Sequence, residues 1–113
     1  MPKDDLAYVG HMLDMSRKAL ALASGKEKAD FDADEALQLA LTHLLQIIGE
    51  AARRVSPEFR ADHPEIPWPA IVGMRHKVVH DYFSVDFDIV WATVARKLPP
   101  LAEQLERLAP PEE

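Results

Sequence analysis

Apolar residues return along this chain in alternating steps of four and three, a spacing that lays side chains along one stripe of an α-helix. Leu37, Leu41, Leu44, Ile48, Ala51 and Val55 form one such stripe. Asp32 is the expected cap, with Glu35 three residues on as in a capping box and Phe31 placed to staple onto Ala36. Ser56-Pro57 ends the helix, because the residue before a proline is biased away from helical geometry. The pattern predicts a helix of about 23 residues, roughly 35 Å long at ~1.5 Å each.

Phe87, Trp91, Val94, Leu98, Leu101, Leu105 and Leu108 form a second stripe, with Asp86 as N-cap and Asp88 in the first turn. Pro99-Pro100 removes two amide donors inside it, so a kinked or restarted helix facing one core is expected. Two further helices are predicted. Residues 4–23 carry Leu6, Val9, Met12, Leu13, Met15 and Leu20 and stop at Ser24-Gly25; residues 69–80 open on Pro69 and run through Ile71, Val72, Met74, Val78 and Val79. The connector 57–68 is proline-rich, with room for one helical turn at Pro57-Glu58-Phe59-Arg60. No segment shows sustained strand alternation. The expected architecture is all-α: an antiparallel bundle of four principal helices with a kinked or broken last member. Seven-residue spacing of this kind also suits packing against a second copy, so a homodimer stands beside the intrachain core as a reading.

Composition narrows the function. At 113 residues the chain has the length of a single domain, 1–113. It has no cysteine, which removes disulfides, thiol nucleophiles and cysteine zinc sites. No apolar run is long enough to span a membrane and the first residues lack a secretion-signal layout, so a cytoplasmic protein is expected. With 13 Lys+Arg against 19 Asp+Glu, the net charge of −6 disfavours a broad basic surface for nucleic acid, which needs many phosphate-neutralising cations. A small local site remains open.

Several patterns fail on inspection. Asp30, Asp32 and Asp34 imitate a calcium loop, but Glu35 and Leu41 replace its essential glycine and glutamate. His76 and His80 are four apart with no third ligand identifiable, so neither a metal nor another cofactor is expected. What stands out is the stretch from Ile66 to His80, which contains no acid and gathers Arg75, His76, Lys77 and His80. Guanidinium offers a fixed fork of donors to phosphate, and imidazole exchanges a proton near neutral pH. Together they are a minimal kit for cleaving RNA without a metal. On one ideal helix Arg75 and His80 would lie about 140° apart. A helix ending near residue 80, or a two-fold partner, would relieve that. A structural alternative pairs Arg75 with Glu50, uses His80 to cap a helix end, and leaves Tyr82 merely packed beside Phe83.

Gly49-Glu50-Ala51-Ala52-Arg53-Arg54-Val55-Ser56-Pro57, Pro64-Glu65-Ile66-Pro67-Trp68, Gly73-Met74-Arg75 through His80-Asp81-Tyr82-Phe83, Val90-Trp91 and Leu98-Pro99-Pro100-Leu101 together resemble the HepT-like family of HEPN domains. The likeness covers most of residues 31–105, and the Arg-x4-His-x-Tyr signature is present as Arg75, His80 and Tyr82. The resemblance implies a dimeric helical bundle acting as a metal-independent endoribonuclease toxin, with Arg75 and His80 as the catalytic pair. It implies a nucleotidyltransferase antitoxin resembling MntA, which silences the toxin by transferring AMP to Tyr82. His76 occupies the position after the motif arginine where the family favours asparagine, and Glu50 is expected to support Arg75. The rival reading is a non-catalytic helical protein that binds nucleotide or scaffolds a nucleotidyltransferase.

Overall fold

The computed structural model describes residues 3–81 and 84–109. Helix α1 (Lys3–Ala23) ends at Ser24-Gly25, where Gly25 takes the left-handed conformation (φ 74°) that costs glycine nothing. A short helix α2 (Lys28–Asp32) follows, then the long helix α3 (Glu35–Arg54), antiparallel to α1. The cap of α3 is Asp34, whose side chain accepts from the Leu37 amide at 3.0 Å; the expected cap, Asp32, instead closes α2 and pairs with Lys28. Three aspartates at alternate positions each offered a cap, and the extra turn of α2 decided which one was used.

Ser56-Pro57 ends α3 as expected and opens helix α4 (Pro57–Asp62), where the Ser56 hydroxyl accepts from the Phe59 amide. Ser56 also donates its amide (2.8 Å) and hydroxyl (2.7 Å) to Asp5, a carboxylate only 2% exposed. This contact locks the start of α1 onto the end of α3. Asp5→Ala should lower stability by about 2–4 kcal/mol, since bonds to a charged acceptor contribute about 1.5–3 kcal/mol each and two on one group are less than additive. Urea midpoints check this, with Asp5→Asn retaining part of the stability.

The predicted helix over 69–80 is divided. Helix α5 (Trp68–Val72) and helix α6 (Met74–Val78) meet at Gly73, and the chain then leaves helical geometry as strand β1 (Val79–Asp81). The Gly73 amide donates to the Pro69 carbonyl at 2.9 Å, and a Cβ at Gly73 would stand only 3.1 Å from that same oxygen. The amides of His76 and Lys77 both turn back to the Gly73 carbonyl, which starts the new helix. Strand β1 pairs antiparallel with β2 (Ser84–Val85). These two strands are the only departure from helix pairing among the described residues, so the all-α class holds.

Helix α7 (Phe87–Ala92), capped by Asp86 as expected, runs into a π-helical turn (Thr93–Lys97) and then helix α8 (Leu98–Leu108). The Leu98 amide reaches back five residues to the Thr93 carbonyl, immediately before Pro99 and Pro100 withdraw their donors. The interrupted rod still buries Val94, Leu98, Leu101 and Leu105 against Val9, Met12 and Leu13 of α1 and Leu41, Leu45 and Ile48 of α3. No helix among the described residues is long and apolar enough to cross a membrane.

Candidate functional site

Helix α6 and strand β1 carry Arg75 and His80 of the Arg-x4-His-x-Tyr motif. Arg75 is the second residue of α6, which packs against α3 and α7. His80 is the central residue of β1. In the pairing, Val79 faces Val85 and Asp81 faces Ser84, so β1 has one residue more than β2 between the paired positions, and that residue is His80. Such a bulge locally bends and twists a strand and re-aims the residue it inserts. The side chains of Arg75 and His80 lie outside the described residues, as do Tyr82 and Phe83 altogether.

Because helical geometry ends at Val78, the single-helix separation of about 140° does not apply to Arg75 and His80. The same break removes the basis for pairing His76 with His80 on one helical face. His76 and Lys77 are both exposed on α6. Glu50, half-buried on α3, accepts from Arg53 at 2.7 and 3.1 Å and lies 3.6 Å from Arg54. Its hydrogen bond holds the Arg53 guanidinium more firmly protonated. The expected Glu50–Arg75 contact involves a side chain outside the described residues.

The far side of the hairpin is anchored by aromatic residues of the predicted stripes and by Lys28, which spacing alone did not flag. Lys28 of α2 bridges Asp88 at 2.9 Å and Asp32 at 3.0 Å, and its pKa is raised by the hydrogen bond to Asp88 first and that to Asp32 second. Beside it the fully buried Phe31 ring meets Phe87 edge-on at 6.2 Å and Trp91 at 5.1 Å. Helix α7 therefore starts at a fixed place directly after β2. On the near side, Trp68 donates its indole N–H to the His63 carbonyl at 2.9 Å, fixing the start of α5. Among the described residues no three His, Asp or Glu side chains converge as a metal site would require.

A separate open groove of about 550 Å³ lies between α1 and α3, lined by Lys18, Leu22, Ala40, His43 and Leu44. Of its lining, Leu22 is 43% exposed; Leu39 on α3, outside the lining, is 57% exposed. The groove shares no residue with the motif.

Residues 12–108 match the family described as Ribonuclease HepT-like. The chain is 36% identical over 101 residues to a protein of Caldanaerobacter subterraneus subsp. tengcongensis named "Putative RNase TTE0752", covering 89% of this chain and 90% of that one. It is 42% identical over 79 residues to "Probable ribonuclease HepT" of Thermococcus cleftensis, covering 70% and 72%. It is 30% identical over 109 residues to "Putative RNase MJ1216" of Methanocaldococcus jannaschii, covering 96% and 90%. No solved structure matches it.

Proposed function

The chain belongs to the HepT-like ribonuclease family, and from that premise we propose a metal-independent endoribonuclease, residues 1–113 acting as one domain, in which Arg75 and His80 perform the cleavage. An imidazole at His80 takes the proton of the ribose 2′-hydroxyl as that oxygen attacks the adjacent phosphorus, or supplies the proton that the departing 5′-oxygen needs. A guanidinium at Arg75 stabilises the charge that builds on the phosphorane oxygens. The observation that carries this reading is the complete motif, with Arg75 on a short helix and His80 at the bulge of the strand that follows. Arg75 and His80 both lie in a stretch of fifteen residues, 66–80, without an acid. His76 and Glu50 act in support, not on the reacting atoms.

The proposal extends to biological context. The protein is a cytoplasmic toxin that works as a homodimer, its two motifs facing one cleft. A nucleotidyltransferase antitoxin silences it by transferring AMP to Tyr82. Support for the dimer comes from the open apolar groove between α1 and α3, with Leu22 exposed at it, which a second copy would cover. Support for the modification is chemical: a phenol two residues beyond His80, once adenylylated, carries a bulky anion to the neighbourhood of Arg75 and both blocks and neutralises it.

Co-expression with a nucleotidyltransferase encoded beside it tests the silencing. Intact mass should rise by whole AMP increments that map to Tyr82, and Tyr82→Phe should remain unmodified and toxic. An unmodified but fully neutralised complex would count against the modification. Retained partner binding with no cleavage of any RNA in EDTA would favour a scaffold role instead.

A further inference from the structure

The stretch 66–80 is not the only part of the chain that lacks acid. Residues 89–102 contain none either, and they carry Arg96 and Lys97. The fold lays these two stretches side by side. A cleft between α5–α6 and the π-turn with the start of α8 is lined by residues of these two stretches alone, among them Ile71, Met74, Leu98 and Leu101, with Lys77 and Lys97 from opposite walls. Both lysines are exposed, and among the described residues neither has a carboxylate within salt-bridge range. Two ammonium groups contributed to one cleft both attract an anion at its rim. The cleft encloses about 60 Å³, room for a few waters but not for a nucleobase, so a ligand's charge has to sit at the rim.

We infer that Lys77 and Lys97 form a two-cation grip on the sugar–phosphate backbone of single-stranded RNA, holding phosphates that flank the one being cut. This rests on the ribonuclease reading, since it places the grip two residues from Arg75. It also reconciles a net charge of −6 with an RNA substrate: these two stretches hold four of the chain's Lys and Arg residues and none of its acids, so the acidic surface lies elsewhere. The π-turn helps supply the second wall, leaving Arg96 and Lys97 exposed while Val94 and Leu98 stay buried.

The test is a salt titration of binding to a fluorescein-labelled, fully 2′-O-methylated 20-nucleotide RNA, which lacks the attacking hydroxyl. Each phosphate contact on a single strand contributes about −0.7 to the slope of log K against log salt. Lys77→Gln/Lys97→Gln should therefore flatten that slope by about 1.4 and weaken binding about 25-fold at 0.1 M salt, relative to a common value at 1 M. Lys26→Gln, an exposed lysine outside both stretches, should change neither. On unmodified RNA the double variant should raise KM while kcat at saturation holds. A slope unchanged in the double variant, or no RNA binding by the wild type, overturns the grip and leaves the cleft to an acidic protein segment. Lysine-dependent binding by a wild type that cuts no RNA would sustain the grip and overturn the ribonuclease reading alone.

Discussion

His80→Ala should slow RNA cleavage by about 10²–10⁴-fold, the range that a positioned general acid or base supplies, and leave the protein folded. The fold should survive because His80 stands on a three-residue strand, whereas the buried core is carried by α1, α3 and the α7–α8 rod. Arg75→Ala should act on the same step by removing the group that meets the phosphorane charge, and the double variant should fall short of the product of the two effects, as residues acting as a unit do. Single-turnover cleavage of end-labelled RNA in EDTA, run beside thermal melting, reads both quantities. A folded double variant that keeps wild-type cleavage, or wild-type growth inhibition, would sink the assignment and turn attention to His76.

Phe31→Ala should destabilise the protein by about 3–5 kcal/mol, the cost of emptying a buried aromatic site that cannot collapse around alanine. At about 4 °C per kcal/mol for a chain of this size, the melting temperature falls by roughly 12–20 °C. Phe31 is fully buried, and its ring touches both Phe87 and Trp91. It thereby ties α2 to the start of α7, where the hairpin ends. Phe31→Leu keeps most of the volume and should cost less than about 1.5 kcal/mol. Urea denaturation of both variants checks the pair; a loss below about 1 kcal/mol for alanine would mean that α2 contributes little to the placement of α7.

The parts of the fold with long periodicity were legible beforehand. The helical stripes, the stop at Gly25, the Asp86 cap and the interruption at the paired prolines each depend on local chemistry that a sequence displays directly. Leu44 shows the limit of a strict seven-residue spacing: it is only partly buried, while the adjacent Leu45, outside the predicted stripe, is fully buried. The hairpin was invisible for a different reason. Strands of three and two residues are too short to show alternation, and Val78-Val79 reads equally well as the end of a helix. At the candidate site the motif was legible and its backbone geometry was not. The motif names Arg75, His80 and Tyr82, yet the bulge at His80 depends on which residues of β2 pair with β1, a tertiary fact. Lys97 did not stand out in the sequence because its stretch lies far along the chain from the motif, and the fold brings it to the same cleft as Lys77.

Trp68 opens α5 and Trp91 lies in the last turn of α7, so the chain's two tryptophans bracket the whole motif-bearing segment. They differ as emitters: Trp68 is 4% exposed with its indole N–H hydrogen-bonded, and Trp91 is half-buried against Phe31. Replacing either by phenylalanine leaves a single tryptophan on one side of the motif-bearing segment. With no native cysteine to compete, one introduced thiol accepts a dye at a chosen position. The response of that segment to added RNA can then be followed optically from either side, in a protein that already carries the donor.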